Sequence, residues 1–85
     1  MKICNLENCF KAAMENGSKY IGIRVNIEGS SEDEIIINPR ANFQRKLEYY
    51  KEAYNTDLQL KHNNAISIKG FTYGNSFSEI ENDLL

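Results

Sequence analysis

The chain has 85 residues, of which 26% are charged and 41% hydrophobic, with a formal net charge of −2. That length makes one domain, residues 1–85, whose single core removes only about 60–65% of the unfolded surface from water, so a deep substrate cleft is not expected. The charge excludes a nucleic-acid binder by basic composition and an acidic disordered tail.

The longest aliphatic run, Ile35-Ile36-Ile37, is far below the ~18 residues of a membrane span, and no signal-peptide pattern follows Met1. A soluble, intracellular chain is expected, with no cofactor and no bound metal. Charge is uneven: residues 1–38 sum to −2, 39–70 to +3 and 71–85 to −3.

The first helix is predicted to start with Asn5 as its cap. Leu6, Cys9, Phe10, Ala13 and Met14 form the apolar stripe, and Asn16-Gly17 is the stop, because glycine accepts the left-handed conformation after a helix. Strand one is predicted from the alternation of Ile21, Ile23, Val25 and Ile27 with Tyr20, Gly22, Arg24, Asn26 and Glu28. Gly29-Ser30-Ser31 is a turn. Strand two covers Glu34 to Ile37, its three isoleucines pointing to burial on both faces or a central place in the sheet.

Asn38-Pro39 reads as the start of a second helix, with Asn38 as cap and Pro39 in the first position. Phe43, Leu47, Tyr50 and Tyr54 make its inward stripe and leave Tyr49 as its exposed aromatic. Strand three is predicted over Leu58 to Lys61, with Asn63-Asn64 as a hairpin turn, and strand four from Ala65 to about Tyr73. Ile66 and Ile68 are out of phase with Phe71 and Tyr73, which calls for a bulge or bend at Gly70. Ser76 with Glu79 is a capping box for a last helix carrying Phe77, Ile80 and Leu84 on one face. The expected fold is therefore α+β: two layers, a four-stranded mostly antiparallel sheet with all helices on one face, in the order α-β-β-α-β-β-α.

No catalytic constellation stands out. With Asn5 as cap, Cys4 and Cys9 fall at the positions of a hydrophobic staple, as two small buried hydrophobes in a reducing compartment. His62, the one histidine, reads as a half-exposed turn residue without an acid, serine or cysteine at a diagnostic spacing. The glycine-containing approach to the last helix has an anion-binding form, but Glu79, Glu81 and Asp83 repel phosphate there.

Two surfaces remain as candidates. The first is the sheet face left open if every helix lies on one side. It would show Tyr20, Arg24, Asn26, Gln59, Lys61, Ser67 and Lys69, joined by Phe71 or Tyr73 through a bend at Gly70. Aromatic and basic side chains there suit a protein interface, homodimerisation or, as second choice, single-stranded nucleic acid or a nucleotide. The second is the acidic turn of Glu32, Asp33 and Glu34, which suits a basic protein partner.

The stretches Tyr20-Ile21-Gly22-Ile23-Arg24-Val25, Asn42-Phe43-Gln44-Arg45-Lys46-Leu47-Glu48-Tyr49-Tyr50 and Gly70-Phe71-Thr72-Tyr73-Gly74 resemble small accessory proteins of phages and prophages of low-GC Gram-positive bacteria. The resemblance rests on general pattern and carries no functional motif. It implies a compact protein that binds and blocks a host or defence component, as anti-restriction and anti-CRISPR proteins do.

Overall fold

A computed structural model describes residues 1–85. The elements are α1 (Ile3–Glu15), β1 (Tyr20–Ile27), β2 (Glu34–Pro39), a 3-10 turn (Arg40–Asn42), α2 (Phe43–Ala53), β3 (Ile66–Gly74) and α3 (Phe77–Leu84). The sheet has three strands, not four: β1 lies in the centre, antiparallel to β2 on one side and β3 on the other. The order is α-β-β-α-β-α. No helix is long and apolar enough to cross a membrane.

The predicted strand over Leu58–Lys61 does not form, because Leu58 takes a left-handed conformation (φ 65°) that breaks an extended run. Asn55 folds the preceding chain into a tight loop, its Oδ1 accepting from the backbone N–H of Asp57 and of Gln59 at 2.9 and 3.0 Å. What survives of strand pairing is a short clasp along the outer edge of β3. The Ile68 N–H donates to the Leu58 carbonyl and the Leu60 N–H to the Ile66 carbonyl, both at 2.9 Å.

The second helix also starts later than expected. Asn38-Pro39 ends β2, and α2 begins at Phe43 after the 3-10 turn. Asn38 is buried on the core side of β2, where its Nδ2 reaches the Ile21 carbonyl at 3.5 Å. Tertiary burial thus overrides a good local cap. Helix α1 likewise starts at Ile3, with Asn5 two residues inside it, its Oδ1 accepting from the Lys2 N–H at 2.7 Å. Other local expectations hold. Gly17 follows α1 with φ 68°, and Ser76 Oγ accepts from the Glu79 N–H at 3.2 Å. The return bond of that cap comes from Asn75, whose N–H donates to Glu79 Oε2 at 3.1 Å.

The bulge is where phase required it. Arg24 pairs with Gly70 and Val25 with Ile68, so Lys69 is the extra residue. The insertion brings Phe71 and Tyr73 onto the same face as Ile66 and Ile68, opposite Ile23 and Ile21 of β1. The main core lies on that face. Leu6, Phe10 and Ala13 of α1 and Phe43, Leu47 and Tyr50 of α2 pack there on Ile21, Ile23, Val25 and Ile68, with Tyr54 and Leu58. Phe10 meets the Phe43 ring edge-on at 6.0 Å and 88°. Each large apolar side chain so buried contributes about 1.5–3 kcal/mol.

Helix α3 covers the opposite face. Ile80 and Leu84 are buried there, and a Cβ added to Gly22 would lie 2.1 Å from Ile80 Cγ2 and 3.1 Å from Leu84 Cδ1. The helices therefore sandwich the sheet rather than lining one side of it.

Candidate functional site

The sandwich removes the open sheet face and with it the reason for grouping the residues assigned to it. Tyr20 packs edge-on against Phe77 of α3, ring centres 5.0 Å apart. Tyr73 lies on the core face, its hydroxyl accepting from Asn16 Nδ2 at 3.0 Å. Lys61 is exposed in the turn after Leu60, and Lys69 is exposed at the bulge. Gln59 is bridged to Ser67. Arg24, Lys61 and Lys69 thus stand on three different segments and form no basic strip for a phosphate backbone.

One part of each candidate surface is brought together with the other. Arg24 and Asn26 of β1 converge on Asp33 of the β1–β2 turn. The Arg24 Nε lies 3.3 Å from Asp33 Oδ2, too misaligned for a hydrogen bond, so the contact is one of charge. Asn26 Nδ2 donates to Asp33 Oδ1 at 2.8 Å. The far end of the guanidinium donates from Nη1 to the Leu84 carbonyl at 2.7 Å. That carbonyl is at the negative end of α3, where a cation is favoured. Arg24 is the tie between the turn and the end of the helix.

Around this tie is an open cleft of about 530 Å³, lined by Arg24, Ser31, Glu32, Asp33, Ile35, Leu84 and Leu85. Its walls combine apolar side chains with acidic and hydroxyl groups. Glu32 and Glu34 are exposed and no cation of the chain pairs with either. Ile35 and Leu84 read in the sequence as strand and helix residues only, not as part of a candidate surface. A signal for them existed: the face of β1 read as polar contains Gly22, opposite Ile37, and Arg24, opposite Ile35 and Gly70. Glycines with isoleucines beside them mark a face prepared for a close-packed helix.

The remaining chemical candidates are separate from the cleft. Cys4 is exposed and Cys9 half-buried; the sulfurs are free thiols, and the staple fails because α1 starts before both residues. Burial pushes the Cys9 thiol up to about 11, away from the thiolate a nucleophile requires. His62 is exposed and, with Tyr49, Glu52 and Ala53, lines a shallow hollow of about 340 Å³. No three His, Cys, Asp or Glu side chains gather where a metal ion would fit. Comparison with protein-family models, with curated proteins and with solved structures finds no match.

Proposed function

We propose that this protein is a non-enzymatic interaction protein of phage or prophage origin, working in the bacterial cytoplasm, that binds a host or defence protein and modulates or blocks it. The observation that carries this reading is the cleft between the acidic turn and the end of α3, with Arg24 bracing both walls. Its apolar Ile35 and Leu84 suit the stem of a lysine or arginine from the partner, and the unpaired Glu32 carboxylate suits its charged head. Occlusion of a partner's site takes about 800 Å² per protein, within reach of a domain this size.

The test is retention of a stoichiometric partner from host lysate on immobilised protein, followed by measurement of affinity for that partner. Glu32→Lys is expected to weaken binding at least tenfold, and added salt to weaken the wild type. Equal affinity of wild type and variant would overturn the cleft as the contact.

A further inference from the structure

We infer that the protein self-associates through β2, two copies pairing these strands antiparallel about a twofold axis at Ile36 and joining their sheets into one of six strands. The inference goes beyond the cleft, and it begins with the unequal treatment of the two sheet edges. Along β3, the Leu58–Leu60 clasp takes up the backbone of Ile66 and Ile68. Along β2 the ladder to β1 is the one pairing, and the outer edge is bare.

Bare edges are normally defended by a bulge, a charged side chain or a proline, and β2 carries such residues only at its two ends, Glu34 and Pro39. The pairing of β2 with β1 runs without a register shift, and the strand interior is three isoleucines. Ile36 is 37% exposed, and Ile35 and Ile37 are half-buried. A sequence suited to a central strand occupies an edge position, as expected of a strand whose second neighbour is another chain.

The backbone phase says which groups are free. The Arg40 N–H donates to the Lys19 carbonyl at 2.8 Å, one step beyond the Tyr20–Pro39 pair. Alternation along an antiparallel ladder then turns the backbone groups of Glu34, Ile36 and Asn38 toward β1 and those of Ile35, Ile37 and Pro39 outward. Pro39, with no N–H, therefore costs the sheet nothing.

Self-pairing fits this edge in one register in particular. The strand reads Glu34-Ile35-Ile36-Ile37-Asn38, near-symmetric about Ile36. A twofold axis there sets Ile35 opposite Ile37 of the second copy. Both residues have outward N–H and carbonyl groups, so the two equivalent pairs form four hydrogen bonds. Ile36 falls opposite its own copy in a non-hydrogen-bonded pair, where Cα atoms approach to about 4.5 Å and side chains touch. Glu34 meets the neutral Asn38, with no like charges across the seam. Beyond the strand, the same alignment sets the exposed, unpaired Glu32 of each copy toward the end of the other that carries Arg40, whose guanidinium keeps its bonds to the end of α1, so unlike charges flank the seam. Moving the axis to Ile35 or Ile37 sets Glu34 or Asn38 opposite Ile36 and gives up this match.

Light scattering on the full chain, from ten micromolar to one millimolar, tests the inference. The wild type is expected to shift with concentration from the 9.8 kDa monomer to twice that mass. Ile36→Lys is expected to raise the dissociation constant at least tenfold while leaving the circular dichroism spectrum intact, because its side chain points from an edge strand and is partly exposed. In a Cys4→Ser, Cys9→Ser background, Ile36→Cys is expected to oxidise to a covalent dimer faster than Glu52→Cys, because only the former faces itself across the axis. A wild type that remains a monomer at one millimolar overturns the inference. So does a dimer that Ile36→Lys leaves unchanged, or equal oxidation of the two cysteine variants.

Discussion

Gly22 and Ile80 touch so closely that no side chain fits between them: a Cβ on Gly22 would lie 2.1 Å from Ile80 Cγ2. This contact fixes α3 against the centre of the sheet. Gly22→Ala is expected to destabilise the protein by about 1–3 kcal/mol through overpacking, visible as a lower urea midpoint. Ile80→Ala alone is expected to cost about 2–5 kcal/mol. The double variant is expected to be more stable than the sum of the two losses, because the second change makes room for the first. Simple additivity would show that Ile80 is not what excludes a side chain at residue 22.

Arg40 is the second clamp. Its guanidinium donates to three carbonyls at the end of α1: from Nη1 to Ser18 at 3.1 Å and Ala13 at 3.4 Å, and from Nη2 to Met14 at 3.1 Å. These include last-turn carbonyls without helical partners, at the negative end of the dipole. Arg40→Met is expected to lower stability by about 1–2 kcal/mol. Arg40→Lys is expected to recover less than half of that in the same urea titration, because one ammonium cannot span the three acceptors.

Alkaline pH is expected to unfold the protein earlier than acid-base balance at its surface would suggest. Burial pushes Cys9 from 9.0 up to about 11 and Tyr54 from 10.0 up to about 12, and it raises Tyr50 as well. Each group ionises more readily in the unfolded chain, so the fold holds more protons at high pH. Stability from this source is fully present below pH 9 and is lost as pH rises from about 9 to 12. The melting temperature is expected to hold steady from pH 7 to just below 9 and to fall above that. Cys9→Ala is expected to reduce the fall between pH 9 and 11; an unchanged slope would remove Cys9 as a cause.

The two thiols are expected to differ in reactivity. Cys4 is exposed, whereas Cys9 is half-buried and kept neutral by burial. A thiol reagent at pH 8 is expected to give one fast and one slow phase of equal amplitude in the native protein and a single fast phase in urea. Cys4→Ser is expected to remove the fast native phase; its persistence would reverse the assignment.

What was legible in the sequence followed from local periodicity. The alternation of Ile21, Ile23, Val25 and Ile27 defines β1 and its core face, and the phase change between Ile68 and Phe71 locates the bulge. The spacing of Phe43, Leu47 and Tyr50 gives the buried stripe of α2, with Tyr49 left half in solvent. The sequence places Asp33 and Arg24 on separate candidate surfaces, since nothing local tells a turn carboxylate which strand residue it will meet nine positions away.

The sequence by itself determined where apolar faces lie, which residues cap α3 and where β3 must bulge, because these depend on neighbours within a few positions along the chain. Tertiary structure alone decided the rest. Asn38 and Pro39 became strand because burial beside Ile21 outweighed a local cap, and Leu58 left the extended state to enter the core. Above all, α3 chose the second face of the sheet, because the gap over Gly22 accepts Ile80 and no other face of the sheet remained to bury that helix. That choice closed the surface first expected to bind, gathered Arg24, Asp33 and Leu84 into a cleft, and left β2 as the one strand edge without a neighbour.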